Sequence, residues 1–179
     1  MRRGEREITD ISAIQQVLHE ALYCNVALCD ADRPYVVPVS FGYEAAAAGG
    51  MDVPSIRLAG VSPVGSGPSQ GLGWLYFHCA GEGRTLELLA RNPSVSFSVV
   101  STAQIVTGPT ACQFSCRYRS VLGGGVAAIV QDEAQRRHGL DCIMRHYGFP
   151  GTADYDPKAL AKTTVVAIKI EALTGKANT

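Results

Sequence analysis

No long apolar run and no excess of either charge marks this 179-residue chain. A helix needs about 20 consecutive apolar residues to cross a bilayer, and no stretch here supplies them. Lysine plus arginine number 16 and aspartate plus glutamate also 16, so no basic face is on offer for a phosphate backbone or a membrane surface. The chain is therefore expected to bind no nucleic acid and no membrane. Its charged start, Met1-Arg2-Arg3-Gly4-Glu5-Arg6-Glu7, has no apolar stretch behind it and does not read as a signal peptide. Six cysteines (Cys24, Cys29, Cys79, Cys112, Cys116, Cys142) form no dense framework, and most sit in apolar runs, where a free thiol acts as a small hydrophobe. They point to a reducing, cytoplasmic setting. There is no internal repeat, no Gly-x4-Gly-Lys phosphate loop and no Cys-x-x-Cys pair. With 46% hydrophobic and 18% charged residues the chain is expected to be globular, and its length suits one domain, residues 1–179.

Alternating segments fill much of the rest. Thr9-Asp10 can cap a helix whose Ile11, Ile14, Val17, Leu18, Ala21 and Leu22 fall on one face. Asn25 to Cys29 reads as a strand closed by the turn Asp30-Ala31-Asp32-Arg33-Pro34. Tyr35 to Tyr43 alternates without a break, and Pro38, lacking an N–H, places that strand at an edge or a bulge. Residues 44–73 change character: a run of alanines is followed by Gly and Pro at short intervals, with Ser55 to Ala59 a brief strand at most. This is read as a long surface excursion within one domain. Strands follow at Val95 to Ser101, Ala111 to Val121 and Val126 to Val130, with Gly123-Gly124-Gly125 as a turn or bulge between the last two. Asp132 caps a helix that buries Leu140, Ile143, Met144 and Tyr147 and stops at Gly148. Pro157 starts a short helix, and Thr164 to Glu171 is the last strand. Most connections are too short for parallel crossovers, so the fold class expected is mainly β with flanking helices (α+β), an antiparallel barrel.

The stretch with the most chemistry is Trp74-Leu75-Tyr76-Phe77-His78-Cys79-Ala80-Gly81-Glu82-Gly83-Arg84. An aromatic strand stops at two glycines, and a helical pattern opens at once. Free N–H groups at a helix start attract anions, and glycine lets an anion approach the chain. Arg84 adds a planar fork suited to phosphate. The stretch is a candidate phosphate seat with the His78 imidazole nearby; the plain alternative is a core strand turning into a surface helix.

Other constellations carry less. Gly123-x-Gly125-x-x-Ala128 formally fits the dinucleotide fingerprint, but a strand-like sequence follows where that fingerprint needs a helix. His138, Cys142 and His146 are spaced i, i+4, i+8 and read as an exposed stripe; three collinear ligands do not close a tetrahedron, and no metal is expected. Cys112 and Cys116 read as core residues of a strand. Cys79 points away from His78, which argues against a Cys–His pair.

Three ordered blocks, Pro34-Tyr35-Val36-Val37-Pro38-Val39-Ser40-Phe41-Gly42-Tyr43, Tyr76-Phe77-His78-Cys79-Ala80-x-Glu82-Gly83-Arg84 and Cys112-Gln113-Phe114-Ser115-x-x-Tyr118-Arg119-Ser120-Val121-x-Gly123, resemble the 5-nitroimidazole-resistance proteins. These belong to the pyridoxamine 5′-phosphate oxidase-like superfamily of split-barrel flavoproteins. Gly139-Leu140, His146-Tyr147 and Thr174-Gly175-Lys176-Ala177 add to the likeness. It implies a Greek-key split β-barrel and a homodimer with two flavin mononucleotides between subunits, FAD being the other flavin to consider. Carried over by block, Pro38, Val39, Ser40 and Phe41 would run beside the flavin ring. His78 and Ala80 would line the ring and ribityl chain, and Gly83 and Arg84 would hold the phosphate. Tyr118, Arg119, Ser120 and Val121 would come from, or lie close to, the second subunit. The function implied is an FMN-dependent oxidoreductase acting on a small, flat acceptor such as a nitroimidazole, with His78 as candidate proton donor. Kept beside it are a non-catalytic flavin- or haem-binding protein of the same fold and a pyridoxamine 5′-phosphate oxidase-like oxidase.

Overall fold

The computed structural model describes residues 4–46 and 71–178. Strands β1 (Glu7–Ile8), β2 (Cys24–Asp30), β3 (Arg33–Val39), β4 (Phe41–Glu44), β5 (Trp74–Ala80), β6 (Ser94–Val106), β7 (Ser115–Ile129) and β8 (Thr163–Asn178) form one sheet. Its order is β3-β2-β6-β7-β8-β5-β4, with β1 added to β8, and every pairing is antiparallel. The two ends of that order, β3 and β4, are consecutive in the chain. The alternation from Tyr35 to Tyr43 therefore belongs to two strands. Val39 pairs with Cys24 at one edge of the sheet, and Phe41 pairs with Phe77 at the other. Ser40 alone carries the chain across. The sheet curls into a barrel that stays open along this seam, and Pro38 lies on an edge strand, where its missing N–H costs no ladder bond.

Side chains from both sheet faces are buried. Inside the barrel, Leu28, Phe41, Leu75, Phe77, Phe97, Val99, Val121 and Ile168 pack under α1 (Ile11–Glu20), which contributes Ile14, Val17 and Leu18. The Asp10 carboxylate accepts from the Ser12 N–H at 3.1 Å and so starts α1. On the outer face of β5 and β8, Tyr76, Val165 and Ala167 meet Leu140, Cys142 and Ile143 of α3 (Glu133–His146) and Leu160 of α4 (Pro157–Lys162). β8 is thus covered on both faces, which explains its unbroken Val165-Val166-Ala167-Ile168 run. Burying each large aliphatic side chain contributes about 1.5–3 kcal/mol.

Several expectations are corrected. Of the turn or bulge expected at Gly123-Gly124-Gly125, the structure has the bulge: β7 continues through it, with a register shift against β8 between Gly124 and Gly125. The glycines serve close approach, because a Cβ at Gly123 would strike the Phe97 ring and one at Gly125 the Lys169 carbonyl. Ala111–Gln113 is a short 3-10 turn, and Cys112 and Cys116 are exposed rather than core. α1 ends at Glu20, which leaves Leu22 exposed. In α3, Leu140 and Ile143 are buried as the spacing predicts, but so is Cys142, while Tyr147 is exposed. The His138–Cys142–His146 stripe packs toward β4, with Cys142 buried and both histidines partly exposed, His138 against Glu44 and His146 against Phe41. Gly42 lets the helix and the strand touch, since a Cβ there would lie 2.6 Å from the Cys142 backbone. β6 and β8 run past their expected ends, to Val106 and Asn178. The Ser55 to Ala59 strand and most of the 44–73 excursion lie outside the described residues.

Candidate functional site

The candidate phosphate seat has the local form its sequence predicts. Leu75 and Phe77 of β5 enter the barrel core and Cys79 packs against it, while His78 and Ala80 are exposed on the opposite face. Gly83 takes φ 134°, a value that only glycine adopts without strain, and is the N-cap of α2 (Arg84–Arg91). No side chain caps this end. The first helical bond runs from the Glu87 N–H to the Gly83 carbonyl at 3.1 Å, so the amides of Arg84, Thr85 and Leu86 precede the helical ladder. Nothing stands within 4 Å of the place a Gly83 Cβ would occupy. Open space, uncapped amides and a guanidinium therefore meet at one point. Arg84 is not idle: its Nη2 donates to the Asp30 carboxylate and its Nη1 reaches Glu87 at 3.5 Å. Arg91 also approaches Asp30, at 3.6 Å. These exposed pairs are worth under about 1 kcal/mol each.

The β3–β4 corner lies next to this turn. Phe41 faces Phe77, and the same antiparallel register carried one step on sets Ser40 beside His78. Beyond Ser40 the chain departs to pair with β2, so a wedge opens between β3 and β5. Pro38 and Ser40 are exposed and Val39 half-buried. The Phe41 side chain is core: it lies 4.4 Å from the His146 ring, centroid to centroid, and its N–H donates to the Tyr147 hydroxyl at 3.4 Å.

Tyr118, Arg119, Ser120 and Val121 are not brought to this point within one chain. They pair with β8 at Gly175 to Asn178, whereas His78 pairs with Val165. Ten residues of β8, about 33 Å of strand at ~3.3 Å each, separate Val165 from Gly175. Arg119 is held on α1 by the Glu20 carboxylate at 3.5 Å and accepting oxygens of Ala13 and Gln16 at 3.4 Å. The Ser120 hydroxyl donates to the Lys176 carbonyl at 3.5 Å, Lys176 Nζ stands 5.8 Å from the Tyr118 ring, and the Val121 side chain is in the barrel core.

A second polar cluster lies between β4 and α3. Glu44 accepts from the Tyr76 hydroxyl at 3.3 Å and stands 2.8 Å from His138 Nε2. Burial, then the Glu44 charge, pushes the Tyr76 hydroxyl up. The Cys142 thiol is pushed up to about 11 chiefly by burial, with Glu44 adding and Arg145 opposing. Burial also raises the Cys79 thiol, so neither cysteine is poised as a thiolate nucleophile. Among the described residues no group of three His, Cys, Asp or Glu side chains is placed to hold a metal ion. Sequence reading missed Asp30 and Glu44. Asp30 read as a turn residue, and its contact with Arg84 spans 54 positions.

The model for the family described as pyridoxamine 5′-phosphate oxidase matches residues 10–177. The chain belongs to this family. Among solved structures, this family member is similar to a candidate 5-nitroimidazole antibiotic resistance protein from Bacteroides thetaiotaomicron, at 27% identity and TM-score 0.71, over 96% of this chain and 86% of that one. It shares its fold with the flavocytochrome Anf3 from Azotobacter vinelandii (19% identity, TM-score 0.72, 100% of this chain and 72% of that one). It also shares it with an FAD- and haem-binding protein from Mycobacterium smegmatis (21% identity, TM-score 0.71, 97% and 73%). No curated protein matches the chain. No helix among the described residues is long and apolar enough to cross a membrane.

Proposed function

We propose that this family member binds a flavin, as FMN, at the β5–α2 turn, and acts as an oxidoreductase on small, flat acceptors such as nitroheterocycles. The observation that carries the reading is the uncapped start of α2, with Gly83 at φ 134° and Arg84 at the first helical position, one turn beyond the exposed His78. The donor set suits a phosphate: three amides, a guanidinium and no Cβ in the way. Asp30 competes for Arg84, but a guanidinium has five N–H donors and can serve a carboxylate and a phosphate from different edges. When bound, flavin supplies hydride transfer.

The chain's own residues divide the remaining work. Gly83 and Arg84 hold the phosphate. His78 and Ala80 wall the ribityl chain and ring. Pro38, Val39, Ser40 and Phe41 present backbone groups along the open seam, where β3 has a sheet neighbour on one side only. The His78 imidazole is exposed at the seam and holds the proton that a reduced product takes up. Tyr118, Arg119, Ser120 and Val121 complete the site from a second copy in a homodimer. The strand length that separates them from His78 within one chain supports this, as do the exposed apolar side chains of Val100, Ile105, Phe114 and Leu122 on β6, β7 and the turn joining them. The resistance named for the Bacteroides relative supports a nitroimidazole as acceptor.

The test is a single turnover. FMN-loaded protein is reduced anaerobically with dithionite, freed of excess reductant and mixed with a nitroimidazole. Loss of the nitro absorbance in step with return of the oxidised flavin spectrum is expected. Flavin that stays bound and reduced in the presence of the acceptor would contradict the enzymatic part of the proposal.

A further inference from the structure

The crossing at Ser40 leaves two wedges in the sheet. One, between β3 and β5, is where the flavin ring is proposed to lie. The other opens on the far side of the corner, between the chain entering β2 and β4. Val39 pairs with Cys24, and the same register carried two steps on would set Phe41 opposite Leu22. β4 has by then left β2 for β5, and the end of α3 fills the gap. The Tyr147 hydroxyl donates to the Leu22 carbonyl at 2.6 Å and accepts from the Phe41 N–H at 3.4 Å. It stands between the two strands where the ladder would have continued, and one hydroxyl can serve both because it carries a donor and two acceptor sites. A buried N–H without an acceptor is costly, so this contact ties Phe41 in place. His146, one residue earlier, donates from Nε2 to the Ala21 carbonyl at 2.7 Å, since a carbonyl only accepts, and its ring lies 4.4 Å from that of Phe41. Two successive residues at one helix end thus hold two successive carbonyls of the α1–β2 link, and both touch Phe41.

We infer that Tyr147 is a positioning residue for the flavin ring: its hydroxyl braces the Ser40 crossing from the side away from the ring and so sets where the backbone from Pro38 to Phe41 meets the ring's polar edge. The inference rests on the flavin reading above and adds to it a residue 106 positions from the strand it holds. Its bonds run to Leu22 and Phe41, not to the β5–α2 turn that seats the phosphate, so its effect falls on the ring.

FMN and riboflavin are titrated into wild type, Y147F and R84A, and the absorption band and midpoint potential of the bound flavin are recorded. Exchange of the Phe41 amide is followed by NMR without flavin. Y147F keeps the ring at a position that is 42% exposed, so it is expected to fold, with circular dichroism as the check. Y147F should exchange the Phe41 amide about tenfold faster and bind FMN and riboflavin more weakly by one shared factor, up to about tenfold for a single hydrogen bond. Its flavin band and potential should both be displaced, while R84A weakens FMN alone. A merely structural role would speed exchange and leave the band and potential where they are; that result overturns the inference. So does unchanged exchange at Phe41 in folded Y147F, or a loss confined to FMN. Wild type that binds neither flavin overturns the flavin reading and the inference with it, whereas Y147F that matches wild type with flavin bound overturns the inference alone. Should Y147F not fold, difluorotyrosine in place of Tyr147, which keeps the hydroxyl but weakens it as an acceptor, is read instead: a smaller displacement of band and potential is expected, and none overturns the inference.

Discussion

The Asp30 carboxylate at the end of β2 holds the Arg84 guanidinium at the first position of α2, 54 residues later. The pair sets how freely Arg84 meets an incoming phosphate. Removing the carboxylate removes a like charge from the seat, while screening limits the gain because Arg84 is 46% exposed. D30N is expected to raise affinity for FMN several-fold relative to riboflavin, by less in high salt. R84A is expected to lower it, by about 1.5–3 kcal/mol for a charge-assisted contact. Fluorescence titration reads both; equal FMN affinity in wild type and R84A would refute the seat.

His78 has an exposed imidazole at the open seam and no structural partner to lose among the described residues. H78A should therefore keep flavin and fold normally while its turnover falls about 10²-fold, the lower range for a lost general acid. Unchanged turnover with flavin bound would leave His78 as a wall residue.

Gly42 is the contact point of β4 and α3. A methyl group there would lie 2.6 Å from the Cys142 carbonyl carbon and oxygen and from the Ile143 nitrogen. Backbone atoms cannot yield as a flexible side chain can, so G42A is expected to cost about 1–3 kcal/mol or more and to loosen α3. A denaturation midpoint equal to wild type would show that α3 rides on β4 more loosely than described.

His146 gives a pH dependence of known sign. Burial lowers its basicity, the Ala21 carbonyl bonded to Nε2 at 2.7 Å partly restores it, and the His19 charge lowers it again. The neutral ring is preferred in the folded chain, so the unfolded chain binds the proton more readily. This contribution is fully present above the ordinary histidine value of about 6.5 and is lost as pH falls toward the lower folded value. Urea midpoints of wild type should drop from pH 7.5 to 5.5 by more than those of H146Q. Equal drops would remove His146 from the acid response.

Much of the fold is legible in local signals. The Asp10 and Asp132 caps, the Gly148 stop, the Pro157 helix start and the edge position of Pro38 follow from short-range chemistry. Contacts that join distant segments are not legible in this way. Alternation from Tyr35 to Tyr43 is the same whether the strand pairs on one side throughout or changes edges at Ser40. Three glycines read as a turn or bulge alike, because the Phe97 ring that requires Gly123 is 26 positions earlier and the Lys169 carbonyl that requires Gly125 is 44 positions later. Cys142 looked exposed because a helix buried on two adjacent faces has no single apolar stripe. In the candidate site, the β5–α2 turn is local and readable; Asp30 and Glu44 act through partners that only folding assembles.

The claim most in need of test is flavin binding at the β5–α2 turn, and the absorption spectrum of the purified protein tests it most directly, with mass identification of whatever is released on denaturation. Flavin bands with FMN released, and loss of both in R84A, are the predicted result. A colourless protein that takes up no added FMN would contradict the account, and a Soret band without flavin would replace it with haem.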